Sequence, residues 1–160
     1  MNFVNKDIRF EDFNLGRQTS IEAAVSPRAL VGRVAVISGW RVDRDVQFFA
    51  DGLTGLRGYR AHTFAGSRAV VMNLEQRLYL GREILQLASP GIVAFIDSGN
   101  ATYGGFSDLM KLKTDIGVGI RVGLPRTPKN LLRIDFAYAL NRDPRGRRGL
   151  LVSFSSGQAF

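Results

Sequence analysis

Over residues 131–141, Leu132, Ile134, Phe136, Tyr138 and Leu140 fall on one side of an extended backbone. Arg133, Asp135, Ala137, Ala139 and Asn141 fall on the other. Residues 114–124 repeat the scheme, with Ile116, Val118, Ile120, Val122 and Leu124 opposite Asp115, Gly117, Gly119, Arg121 and Gly123. A period of two is the signature of a strand, because successive side chains point to opposite faces; a helix would scatter these groups around its axis. The same reading gives strands at 69–80, 92–99 and 150–160, less regular ones at 19–26 and 33–42, and an eighth candidate at 4–13. Helical spacing is confined to residues 82–88, which run into Ser89-Pro90-Gly91 and read as a turn. Turns are expected at 81–91 and 125–130, and longer loops at 43–68, 100–113 and 142–149. The expectation is a single all-β domain over residues 1–160, antiparallel, with about seven or eight strands and no internal repeat or linker.

Alternation alone fits two opposite solutions. A soluble sandwich turns the apolar face inward; a membrane barrel turns it outward. The character of the polar face favours the barrel. It carries glycine, alanine, serine and isolated charges of both signs, and glycine makes up 18 of 160 residues against a usual share of about 7%. A water-facing side would be dressed in long Lys, Glu and Thr side chains. Small residues with sparse, pairable charges suit a crowded lumen that holds an inserted loop. No run approaches the roughly 18 apolar residues of a membrane helix, which excludes helical spans and leaves strand spans open. Outer-membrane lipid is therefore the expected partner of the apolar faces.

The remaining composition narrows the function. The net charge is +8, but the arginines are spread over strands and loops and are not gathered on a helix, so a nucleic-acid partner is not expected. There is no cysteine and one histidine, His62, so neither a disulfide framework nor a His-based metal cluster is available. No G-x-S-x-G elbow occurs, and Gly117, Gly119 and Gly123 lack dinucleotide-binding spacing. A hydrolase built on paired carboxylates, Glu75 and Asp97, is disfavoured. The chain is expected not to be an enzyme and to need no cofactor or metal.

Several motifs fall in a fixed order. Residues 48–59 are glycine-rich and end in Leu56-Arg57-Gly58-Tyr59; Asn73-Leu74-Glu75 follows, then Phe95-Ile96-Asp97-Ser98-Gly99, and the chain closes on Phe160. From about Gln47 to Phe160 this series resembles the carboxyl-terminal barrel of the bacterial surface-antigen and BamA-like outer-membrane assembly proteins. The resemblance implies a bacterial outer-membrane protein that inserts or translocates other outer-membrane proteins, with those clients and assembly partners as its protein partners. It implies that the 43–68 loop folds inward and presents an Arg-Gly-aromatic tip, and that Phe95, Asp97 and Gly99 form the F-x-D-x-G strand. Parity independently puts Glu75 and Asp97 on the side away from Leu74 and Ile96, where by themselves they read as solvated charges; with the resemblance, Arg57 is expected to reach both. The resemblance further implies that residues 150–160 are a terminal strand with Val152, Phe154, Gly157 and Phe160 as its assembly signal. Ser156 departs from the large apolar residue usual there.

Two expectations concern extent and rim. The resembled family has periplasmic POTRA domains and sixteen strands, whereas Met1-Asn2-Phe3 opens no signal peptide and only seven or eight strands are readable. The chain is therefore expected to be the C-terminal half of such a barrel. Arg142, Arg145, Arg147 and Arg148 crowd the last hairpin; they read either as a solvated loop or as a candidate contact to lipopolysaccharide phosphates. Two rivals stay open: a small closed structural or adhesive outer-membrane barrel, and a soluble ligand-binding β-barrel.

Overall fold

The computed structural model describes residues 17–25, 29–39, 47–79, 89–123 and 131–157. The sequence features at 4–13, 82–88, 125–130 and 158–160, Phe160 included, lie outside the described residues. The elements in chain order are β1 (Arg17–Val25), β2 (Leu30–Ser38), β3 (Phe48–Ala50), β4 (Phe64–Gly66), β5 (Arg68–Tyr79), β6 (Ser89–Thr102), α1 (Phe106–Leu109), β7 (Lys113–Gly123), β8 (Leu131–Ala139) and β9 (Leu150–Ser156). Seven strands form one antiparallel sheet in the order β1-β2-β5-β6-β7-β8-β9, so every strand pairs with its sequence neighbour once the small β3–β4 ribbon is set aside.

The register builds continuous rows across the sheet. On one face Leu78, Ile92, Ile120, Ile134 and Phe154 are successive cross-strand partners, as are Gln76, Ala94, Val118, Phe136 and Val152. On the other, Asn73, Asp97, Asp115 and Ala139 line up, and Arg77, Val93, Gly119, Asp135 and Ser153 form a parallel row. The polarity of the two faces is inverted relative to a water-soluble protein. Val118 is 58% exposed and Phe154 70%, while Glu75, Asp97, Asp115 and Arg121 are each fully buried. In water, ionised side chains are almost never fully buried and contiguous apolar surface is hidden. An apolar exterior wrapped around a polar interior is the arrangement of a membrane barrel wall. Among the described residues no helix is long and apolar enough to cross a membrane.

Several boundaries differ from the sequence reading: the strands expected at 19–26 and 33–42 run over Arg17–Val25 and Leu30–Ser38, and three further differences involve loops. The strand expected at 92–99 runs from Ser89 to Thr102, so part of the 81–91 turn and the start of the 100–113 loop belong to β6. Asn100, Ala101 and Thr102 carry no large apolar group to extend the pattern, yet Asn100 and Ala101 are buried, Ala101 beneath the inward loop. The rest of that loop contains one helical turn, α1, too short to leave a periodic signal. The 43–68 loop includes the paired strands β3 and β4, and Arg68 already belongs to β5.

On β9, Leu150, Val152, Phe154 and Ser156 lie on the exposed face, and Ser156 pairs with Leu132. Ser156→Ile should therefore extend the apolar band. At roughly 25 cal/mol per Å² the gain is about 1–2 kcal/mol. A raised thermal midpoint in detergent is the expected result; a lowered one would show that this position does not face lipid.

Candidate functional site

The site is built where the 47–67 loop lies on the polar face of the sheet. The loop is held in shape by its own polar groups. Asp51 accepts hydrogen bonds from the backbone N–H of Leu53 (2.9 Å), Thr54 (3.1 Å) and His62 (2.5 Å), fastening the two limbs together. Its main-chain oxygen accepts from Gly55 and Leu56, making a tight turn in which Gly55 adopts φ +130°, a conformation that side chains oppose. Leu56, Tyr59 and Phe64 then pack with Ala69, Val71, Ala101 and Ala139 of the wall. The Tyr59 ring meets Phe64 edge-on at 5.1 Å, and its hydroxyl donates to the carbonyls of Thr114 (3.1 Å) or Asn141 (3.2 Å). Burial pushes the Tyr59 phenol up to about 12.

This scaffold inserts Arg57 between two strands. Its Nε donates to Asp97 Oδ2 at 2.7 Å and its Nη2 to Asp97 Oδ1 at 2.8 Å, a two-pronged match of guanidinium to carboxylate. The remaining nitrogen, Nη1, donates to Glu75 Oε2 at 2.8 Å. The guanidinium carbon also lies 3.4 Å from the centre of the Phe95 ring. Burial alone opposes the Arg57 charge. The hydrogen bond and attraction of Asp97, joined by those of Glu75, outweigh it and hold its pKa above the ordinary arginine value. Asn73 completes the cradle, its Nδ2 donating to Asp97 Oδ1 (2.8 Å) and to the carbonyl of Gly55 (2.6 Å).

Sequence reading placed Arg57, Glu75, Asp97 and Phe95 here but missed the ions that continue from them. Glu75 Oε1 accepts from Arg77 Nε at 2.8 Å and lies 3.8 Å from Arg121 Nη2. Arg121 Nη1 donates to Asp135 Oδ1 at 2.6 Å, and Arg133 Nε lies 3.0 Å from Asp135 Oδ2. Arg121 and Arg133 are direct cross-strand partners of like charge, so Asp135 neutralises a contact that would otherwise repel. Asp115 is the fourth buried carboxylate of the face, packed against the loop tip at Gly58. Glycines make room: a Cβ on Gly117 would collide with the Phe95 ring, and one on Gly119 with Asp135. Their signal was present in the sequence, since all these charges share the parity of Glu75 and Asp97.

Gly58 itself has no space for a side chain. A Cβ there would stand 2.5 Å from the Asp115 Cβ and 3.2 Å from the backbone nitrogen of Ala139. Gly58→Ala should lift the loop tip and destabilise the fold by about 1–3 kcal/mol, the usual range for overpacking. Faster proteolysis of the 47–67 loop in detergent checks this, and unchanged protection would show that the tip is not seated so tightly.

The other singled-out residues lie elsewhere. Gly99 sits beneath Leu56, where a Cβ would meet the Val70 carbonyl at 2.5 Å. Val152 and Phe154 are on the opposite, exposed face, and Gly157 at φ +91° donates to the Leu131 carbonyl at 2.7 Å. The four arginines of the last hairpin are exposed, on an ordered turn closed by hydrogen bonds between Asp143 and Arg147. Among the described residues no group of three or more His, Cys, Asp or Glu is placed to hold a metal ion.

An apolar exterior, a buried ionic interior and an inward arginine loop coincide with a family match over nearly the whole length: residues 12–160 match the Omp85 superfamily domain. The chain belongs to the Omp85 superfamily. No curated protein matches it. The seven-stranded sheet is accordingly a segment of an antiparallel outer-membrane β-barrel, and the face bearing Val118 and Phe154 is its lipid side. At the level of the superfamily, Omp85 barrels insert or translocate proteins at outer membranes.

Proposed function

We propose that this Omp85 chain forms the C-terminal half of a BamA-like barrel that inserts outer-membrane proteins, with Arg57 as the latch that keeps the 47–67 loop in the lumen. The observation that carries the reading is the buried Arg57–Asp97–Glu75 cluster: three charges removed from water on the face opposite an apolar exterior. No stability argument alone requires such a cluster, since apolar residues of similar volume serve as well or better. A loop that must dock in one place, and be released under load, does benefit from it. β9 (Leu150–Ser156) lies at one edge of the sheet, where exposed backbone groups can template an incoming strand. Client outer-membrane proteins and assembly partners follow from this role, and no chemical step is assigned.

Vesicles containing the protein should accelerate the folding of an unfolded outer-membrane barrel, and Arg57→Ala should remove most of that acceleration. Vesicles that give no acceleration with the unaltered protein would overturn the insertion role in favour of a closed structural barrel.

A further inference from the structure

We infer that the β8–β9 hairpin and the tip of the inward loop together form a binding site for the anionic phosphate headgroup of a membrane lipid. The inference rests on the reading of the exposed apolar face as the lipid side. The hairpin carries Arg142, Arg145, Arg147 and Arg148 against a single carboxylate, Asp143. That carboxylate is already committed, accepting from the Arg147 backbone N–H at 2.7 Å and from its Nε at 3.0 Å. Among the described residues Arg142, Arg145 and Arg148 have no carboxylate partner.

Position supplies the second argument. Tyr138 and Leu150 are cross-strand partners on the lipid side, and both are exposed. The Arg148 guanidinium lies over the Tyr138 ring, 5.4 Å from its centre. An arginine at the end of an apolar band sits where headgroup charge begins, its stem along the apolar surface and its charge at the interface. Space supplies the third. A cavity of about 290 Å³ opens between the hairpin and the loop tip, lined by Arg60, Arg147, Arg148, Tyr59 and Leu150, with Asp143, already bonded to Arg147, its one carboxylate. Guanidinium groups match phosphate oxygens two at a time, which suits this cavity to a phosphate with its first carbons. Leu150, which lines the cavity and is exposed on the apolar face, suits it to a lipid rather than a free ion. Because Arg60 belongs to the loop, a bound headgroup would bridge the docked loop and the hairpin.

The test uses the folded chain in phosphatidylcholine vesicles with and without phosphatidic acid, followed by native mass spectrometry of the lipid retained after extraction. Retention of phosphatidic acid is expected. It should fall roughly tenfold in the Arg60→Gln, Arg148→Gln double variant, whose two arginines both line the cavity, the loss that follows from removing charged hydrogen bonds. Lys111→Gln, on the neighbouring hairpin where Lys111 pairs with Asp108, should retain the lipid unchanged. Added salt should weaken phosphatidic acid retention and leave phosphatidylcholine retention alone. Equal retention by the double variant, equal loss in Lys111→Gln, or displacement of the lipid by an equal concentration of inorganic phosphate would overturn the inference. A chain that does not enter phosphatidylcholine vesicles overturns the lipid-side reading and this inference with it. One that enters without preference overturns the inference alone.

Discussion

Arg57→Ala is expected to destabilise the folded chain by about 3–5 kcal/mol, the range for removing one partner of a buried ion pair. The reason is what it leaves behind. Asp97 would keep Asn73 Nδ2 and the long contact from the backbone N–H of residue 57 (3.4 Å), would lose both guanidinium hydrogen bonds, and would remain fully buried. Glu75 would keep Arg77 at 2.8 Å and the more distant Arg121, so it suffers less. The Phe95 ring would lose the cation above it. The loop would then be held by Tyr59, Leu56 and the Gly55–Asn73 contact, which flank position 57 but do not replace its guanidinium. Thermal unfolding in detergent gives the size of the effect, and trypsin cleavage after the exposed Arg60 reports loop release. Two companion variants separate charge from geometry. Arg57→Lys keeps the charge but loses the two-pronged contact and should fall in between. Adding Asp97→Asn to Arg57→Ala removes a stranded charge and should restore part of the loss. An unchanged midpoint with unchanged protection in Arg57→Ala would show that the cluster does not hold the loop.

The legible part of this fold is the part written in side-chain size. β7 and β8 were readable because large apolar residues alternate with small or charged ones without interruption, which also fixes the faces of Glu75 and Asp97. The far end of β6 was not, because Ala101 is buried by a loop that arrives from residues 47–67 and Asn100 is engaged by the Asp108 carbonyl, tertiary causes with no local signature. The β3–β4 ribbon has the same origin: three-residue strands form only because the loop is folded against the wall. Arg57 could be assigned to Glu75 and Asp97 only by adding the family resemblance to parity, since a parity argument alone allows solvated carboxylates. The Arg121–Asp135–Arg133 group shows the limit most clearly. Parity puts all three on one face, but their pairing depends on register, and alternation does not fix register between neighbouring strands. The observed register sets the two arginines opposite each other and makes Asp135 the shared partner.

Val118→Arg is the substitution that most sharply separates a lipid face from a water face. Val118 lies in the middle of β7 between Ala94 and Phe136 and is more than half exposed. On a water-facing sheet, an arginine at so open a position changes stability by no more than about 0.5 kcal/mol and improves solubility. On the lipid side of a barrel near mid-depth, it costs about 2–4 kcal/mol, because the guanidinium has no water and no partner. The two readings thus differ in sign for solubility and severalfold for stability. Depth adds an internal control. Leu150 is also exposed, but it lies at the hairpin end of β9 beside the arginine-rich rim, so Leu150→Arg should cost only about 0–1 kcal/mol. Refolding yield and thermal midpoint in lipid vesicles should therefore fall steeply for Val118→Arg and little for Leu150→Arg. Equal tolerance at both positions would mean that water covers this face, and the soluble ligand-binding barrel would take precedence. A steep gradient follows only if the exposed valines, isoleucines and phenylalanines of β5 to β9 meet hydrocarbon, because no other solvent makes the cost of one charge depend on its distance from the rim.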